Sequence, residues 1–242
     1  MSKTECFGLP FDDAEPEEIV QRALELIGKK SGAYVVTPNP EIVLAAEHHS
    51  ALRQALLDAD LMIPDGVGLV WASIILGKPL RHRLPGIDFA SMLLEKLKSK
   101  QGSVYLLGAK PGVAREAADH LSRQFPDLCF IGTHHGYFSN SDEPFLMAEI
   151  QRSRPDLLFV CLGSPRQELW MAAHRSELPG TLMIGLGGAL DVFAGRIPRA
   201  PLRWRRFGLE WLYRLFREPK RIKRMIRLPG ILRAAIRERG RS

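Results

Sequence analysis

Apolar runs of strand length that alternate with segments of helical spacing constrain this chain more than any other feature. The runs are Ala33–Thr37, Leu61–Ile63, Ser103–Leu107, Leu128–Ile131, Leu157–Leu162 and Leu182–Gly185. They are rich in Val, Ile, Leu and Phe without clean alternation, as strands covered on both faces are. Helical patterns lie between them at Glu41–Ala59, Val67–Leu76, Ile87–Lys98, Val113–Phe125, Phe145–Arg152 and Arg166–Arg175. This order predicts an α/β domain with a Rossmann-like, mostly parallel sheet and flanking helices.

Charge divides the chain at about residue 195. Residues 195–242 hold 16 Lys+Arg against 3 Asp+Glu, a net of +13, whereas residues 1–194 carry −6. Prolines partition this basic segment into short helices, such as Trp204–Arg217 and Lys220–Leu228. Apolar residues recur there at helical spacing, with arginines on the other faces. The reading is a catalytic domain over residues 1–194 and a basic, amphipathic helical appendage over 195–242. Such an appendage suits an interfacial helix among anionic headgroups, a membrane surface rather than nucleic acid, for which no binding motif accompanies the charge. The apolar stretch Leu61–Gly77 is interrupted by Pro64 and Asp65, so no transmembrane span is expected, and Met1–Pro10 has no apolar signal core. The three cysteines lack metal or disulfide spacing, which fits a reducing, cytoplasmic compartment.

In a parallel sheet the ligand crevice lies beyond the carboxyl ends of the strands. The corresponding junctions read Thr-Pro-Asn-Pro (37–40), Pro-Asp-Gly-Val-Gly (64–68), Gly-Ala-Lys-Pro-Gly (108–112), Gly-Tyr-Phe (136–138), Gly-Ser-Pro-Arg-Gln-Glu (163–168) and Gly-Leu-Gly-Gly-Ala-Leu-Asp (185–191). Several glycine-punctuated junctions in one chain are the organisation of a nucleotide-binding enzyme, although none matches a dinucleotide or Walker fingerprint. Asp65 reads locally as an Asp-Gly turn residue, or as a general base at the end of a strand. Asn39 before Pro40 reads as a helix N-cap. Asp58-Ala59-Asp60 resembles a metal-holding D-x-D but falls at a helix end on the wrong edge of the sheet, so no metal and no cofactor are expected. The pairs His48-His49 and His134-His135 receive no role.

Thr37-Pro-Asn-Pro, Pro64-Asp-Gly-Val-Gly, Arg83-Leu-Pro-Gly-Ile-Asp88, Gly163-Ser-Pro-Arg-Gln-Glu168, Gly185–Asp191, Arg199-Ala-Pro and Leu209-Glu-Trp-Leu-Tyr-Arg214 together resemble the WecG/TagA/CpsF family, glycosyltransferase family 26. The resemblance covers residues 30–228, in order. It implies an inverting transferase moving N-acetylmannosamine, its uronic acid or glucose from a UDP-sugar to a polyprenyl-diphosphate-linked sugar, in teichoic acid or surface polysaccharide synthesis. It implies Asp65 as general base, with Thr37, Asn39, Arg83 and Gln167 lining the sugar and acceptor pocket. Gly108, Gly136, Tyr137 and Asp191 lie by UDP in the same reading, and Arg214, Arg221 and Arg224 meet the acceptor diphosphate. The enzyme is then peripheral on the inner face of the plasma membrane, and a homo-oligomer is compatible with the family. The contrary readings are a non-catalytic nucleotide-binding adaptor on a membrane or nucleic acid, and a nicotinamide oxidoreductase.

Overall fold

The computed structural model describes residues 2–201, 204, 212, 213 and 228–240. A hairpin of β1 (Lys3–Cys6) and β2 (Leu9–Asp12) opens it, followed by helix α1 (Pro16–Leu26). Next come β3 (Ala33–Val36), α2 (Pro40–His48), α3 (Ser50–Leu57), β4 (Leu61–Met62), α4 (Val67–Ile75) and α5 (Gly86–Leu97). The alternation continues through β5 (Ser103–Gly108), α6 (Val113–Gln124), β6 (Cys129–His134), α7 (Glu143–Ser153), β7 (Leu157–Cys161) and α8 (Arg166–His174). Strand β8 (Leu182–Gly185), the short α9 (Ala189–Phe193) and α10 (Leu228–Arg239) complete the described elements.

The six longer-range strands form one sheet in the order β4-β3-β8-β7-β5-β6. Every pairing in it is parallel, the α/β architecture that the alternation predicts. Strands β3, β7 and β8 are buried at every position, which explains why their sequences show no polar alternation. Their odd and even residues feed two cores. Val35, Leu106, Phe159 and Ile184 face one side, with α1, α5, α6 and α9. Tyr34, Leu107, Val160 and Met183 face the other, with the hairpin and α2, α4, α7, α8 and α10. Each fully buried Leu, Ile or Phe contributes roughly 1.5–3 kcal/mol of transfer free energy, so neither core is dispensable.

Two features depart from the sequence reading. The single helix expected over Glu41–Ala59 is two helices, because His49 leaves the helical region (φ −130°, ψ 91°) and its Nδ1 accepts the Leu52 N–H at 3.1 Å. The hairpin and α1 fill the region before Ala33, ahead of the first apolar run of the alternation.

Helix α10 belongs to the second core. Ile231, Ala234 and Ala235 are buried there, and a β-carbon at Gly230 would lie 3.3 Å from Leu44 on α2. Arg239 Nη1 donates to the Ile75 carbonyl of α4 at 3.2 Å, and Arg237 pairs with Glu47 of α2 at 3.6 Å. Small residues on its inner face thus let α10 lie close across α2 and α4. Among the described residues no helix is long and apolar enough to cross a membrane.

Candidate active site

The carboxyl ends of β3, β4 and β8 converge. Thr37, directly after β3, is buried, and its hydroxyl donates to the Gly185 carbonyl at 2.9 Å. Asn39 caps α2, its Oδ1 accepting the Glu41 and Ile42 N–H groups at 2.9 and 3.1 Å. This use of the side-chain oxygen leaves the amide NH2 outside the cap. Asp65 stands between them and α5. Its N–H donates to the Pro38 carbonyl at 3.1 Å, and its Oδ2 accepts the Gly86 N–H at 3.4 Å. Gly86 opens α5, whose N-terminal end favours an anion. A β-carbon there would sit 3.2 Å from Thr37 Oγ1, so any larger residue would push on that hydroxyl. Arg83 lies half-buried on the loop before α5.

A second group sits beyond β7. Gln167, in the first turn of α8, accepts the Gly187 N–H on Oε1 at 3.0 Å and donates from Nε2 to Glu168 Oε1 at 2.9 Å. The amide is thereby fixed in one orientation. Glu168 is 1% exposed. Burial pushes its carboxyl above the ordinary range, against hydrogen bonds from Gln167 and Ser164 that pull it down.

Glycines shape the ends of β5 and β6. Gly108 has φ 138°, and a β-carbon there would fall 2.3 Å from the Cys161 carbonyl oxygen, so no other residue fits unmoved. Gly136 hydrogen-bonds to the Ala109 carbonyl at 2.8 Å and would meet Gly108 if it carried a side chain. Tyr137 is 69% exposed. Arg166 braces this loop. It donates to the Gly136 and Phe138 carbonyls at 2.7 and 3.3 Å and stacks 4.3 Å over the Phe138 ring. Asp191 lies half-buried on α9, and its carbonyl accepts the Arg196 and Ile197 N–H groups at 3.0 and 3.1 Å. Beneath it, Cys161 is pushed up to about 12, chiefly by burial.

Residues 4–242 match the Glycosyl transferase WecG/TagA/CpsF family. A Bacillus spizizenii protein named N-acetylglucosaminyldiphosphoundecaprenol N-acetyl-beta-D-mannosaminyltransferase is 37% identical over 229 residues, 94% of this chain and 88% of its own length. A Staphylococcus aureus protein of the same name is 36% identical over 230 residues, 94% of this chain and 90% of its own. This chain belongs to the WecG/TagA/CpsF family.

As a WecG/TagA/CpsF member the chain is a glycosyltransferase, in agreement with the reading of its motifs. Thr37, Asn39, Asp65 and Gln167 meet around the ends of β3, β4 and β8 in this WecG/TagA/CpsF chain, linked through Gly185, Gly86 and Gly187. Gly108, Gly136 and Tyr137 form a neighbouring group at β5 and β6. Arg214, Arg221 and Arg224 lie outside the described residues. Three contributors are legible only in the structure. Arg166 and Glu168 stand inside a quoted motif, but their work on Gly136 and Gln167 depends on contacts that spacing does not show. Asp88 pairs with Arg199 and so ties the chain after α9 to the first turn of α5. In the D-x-D, Asp60 is taken up by Lys29 at 2.5 Å and Arg175 at 3.0 Å.

Proposed function

We propose that this enzyme transfers N-acetylmannosamine from a UDP-sugar to N-acetylglucosamine carried on polyprenyl diphosphate, with inversion at the anomeric carbon. The observation that carries the reading is the likeness to two enzymes bearing that name along 94% of the chain. The convergence of Asp65, Asn39 and Gln167 beyond a parallel sheet supports it.

In the proposed step Asp65 takes the proton of the acceptor hydroxyl as that oxygen bonds to the anomeric carbon. The bond from that carbon to the UDP oxygen breaks, its electron pair leaves with UDP, and an α-linked donor becomes a β-glycoside. Gly86 N–H holds one carboxylate oxygen, which orients the base. The amides of Gln167 and Asn39 recognise sugar hydroxyls. N–H groups at the starts of α6 and α8, with Arg83, receive the negative charge that develops on the leaving diphosphate. Gly108 and Gly136 keep that wall flat enough for UDP, beside Tyr137 and Asp191. Arg214, Arg221 and Arg224 hold the acceptor diphosphate as bidentate partners.

Residues 195–242 are proposed to bring the enzyme to an anionic membrane surface, with α10 anchoring this segment on the body. The exposed Arg233 then faces the lipid, while Arg237 and Arg239 hold α10 to the body.

The test is a set of UDP-sugars offered with a synthetic polyprenyl-diphosphate N-acetylglucosamine, the products weighed by mass spectrometry. Transfer of N-acetylmannosamine is expected, and transfer of a different sugar alone would replace the donor assignment. Asp65→Asn is expected to lower turnover by about 100-fold or more while UDP still binds. Near-normal turnover would remove Asp65 from the role of base.

A further inference from the structure

The N-terminal hairpin lies outside the residues that carry the family motifs, yet its last strand ends at a buried carboxylate, Asp12, and a second, Asp13, follows it. Asp12 is 1% and Asp13 2% exposed. The hairpin is held in place by its own apolar residues, for Leu9 and Phe11 are fully buried in the second core.

Each carboxylate reaches a different part of the candidate site. Asp12 Oδ2 accepts the Met62 N–H at 2.7 Å. Met62 ends β4, the edge strand of the sheet, and Asp65 follows three residues later. Asp13 Oδ1 accepts the N–H groups of Arg81 and His82 at 3.0 and 3.3 Å. Its Oδ2 takes the Thr4 hydroxyl at 3.2 Å and faces Arg81 Nε at 3.5 Å. The main chain of Asp13 is tied to Ser2 in both directions, N–H to carbonyl at 3.1 Å and carbonyl to hydroxyl at 2.7 Å.

Arg83 comes immediately after His82. On its far side the loop is tied to the base, since Leu84 N–H donates to the Pro64 carbonyl at 3.3 Å and Gly86 N–H to Asp65 Oδ2 at 3.4 Å. The loop carrying Arg83 is therefore fastened at one end by Asp13 and at the other by the Pro64-Asp65 pair. Asp12 holds the strand from which that pair emerges. A buried carboxylate is costly where its hydrogen bonds are not made. Asp13 has partners on both oxygens, whereas Asp12 is bonded through Oδ2 and its Oδ1 has no hydrogen-bond partner among the described residues. The bonds of Asp12 Oδ2 and Asp13 Oδ1 go to backbone N–H groups, which fix chain position rather than side-chain rotamer.

We propose that the β1–β2 hairpin is a clamp that sets the distance between Asp65 and Arg83, and that Asp13 is the positioning residue for Arg83. This inference rests on the transferase reading, in which Asp65 takes a proton and Arg83 meets the leaving group. Asp13 touches neither substrate, and acts by holding the backbone on which Arg83 stands. A displacement on the order of an ångström at such a group is enough to lose much of its effect on the barrier.

The test is a double-mutant cycle on the full-length enzyme with UDP-N-acetylmannosamine and the lipid-linked acceptor. Active fraction is fixed by UDP stoichiometry in calorimetry, so that unfolded protein does not count as slow enzyme. Asp13→Ala is expected to lower kcat/KM about tenfold or more. Asp13→Asn, whose Oδ1 still accepts both N–H groups, is expected to restore activity to within about threefold of wild type. In an Arg83→Ala background Asp13→Ala is expected to cause no further loss. A loss that persists in full in that background, or wild-type kcat/KM for Asp13→Ala, would overturn the proposal. Should Asp13→Ala fail to fold, Asp13→Glu takes its place in the cycle, because the longer side chain pushes the loop while keeping the charge. Wild-type activity of Arg83→Ala would remove Arg83 from the reaction, and the clamp's purpose with it. The Asp65→Asn variant reports separately on the transferase reading.

Discussion

Asn39 is a residue with two duties, and its two side-chain atoms separate them. Its Oδ1 caps α2, and a cap of this kind contributes about 1 kcal/mol. Asn39→Ala should lower stability by that amount and also lower turnover. Asn39→Asp keeps the capping oxygen but loses the amide N–H groups, so calorimetry should show a preserved melting temperature beside reduced transfer. Glu168 offers a pH test. Its folded-state pKa lies above the ordinary 4.5 because of burial, so its contribution to stability is present below that value and lost as pH rises through the folded pKa. Glu168→Gln should therefore be at least as stable as wild type at neutral pH, with a flatter dependence of melting temperature on pH above the ordinary carboxylate range. A steeper dependence would contradict a neutral-favouring site at Glu168. The thiols divide just as sharply. Burial pushes Cys6 up to about 11 and Cys161 up to about 12, whereas Cys129 is exposed. Iodoacetamide should label Cys129 alone in the native protein, as peptide mass mapping would show.

Helix α10 shows how an element's role depends on which of its faces is covered. Ile231 is fully buried against α2 and α4, whereas Ile236, five residues on, is 63% exposed. Ile231→Ala should cost about 2–5 kcal/mol, and Ile236→Ala should leave the denaturation midpoint nearly unchanged. Equal effects would mean that α10 is not docked as described. The α2–α3 break teaches a related lesson. The apolar spacing of Glu41–Ala59 runs through His49, so periodicity alone reads one helix. The break exists because the His49 backbone leaves the helical region and its ring caps Leu52, which apolar spacing does not record. The hairpin escaped the sequence reading for a similar reason. Its strands are four residues each, with Pro10 inside one of them, too short for any period to declare itself.

At the scale of the whole molecule the charge separation is the feature with an experimental handle. A segment of net +13 follows a body of net −6, and each cation near an anionic surface contributes about 1 kcal/mol. Cosedimentation with phosphatidylglycerol vesicles should be strong at low salt and should fall steeply as salt screens the arginines. Neutral phosphatidylcholine vesicles should retain little protein. Salt-independent binding would assign the attachment to apolar contacts instead. This arrangement also suits the chemistry proposed for the site, because the acceptor is held in the same surface.

The sequence by itself determined the α/β class, the strands buried on both faces, and the family-marking junctions at their carboxyl ends. These are local properties, written in periodicity and in glycine, proline and carboxylate placement over a few adjacent residues. Only the tertiary structure decided which junctions meet, that Gln167 is locked by Glu168 and Gly187, and that Asp12 and Asp13 reach Met62, Arg81 and His82. The reason is physical. Those bonds join residues about 50 and 70 positions apart, or fix one of two amide orientations, and no local pattern records the position of a backbone N–H that arrives from elsewhere in the chain.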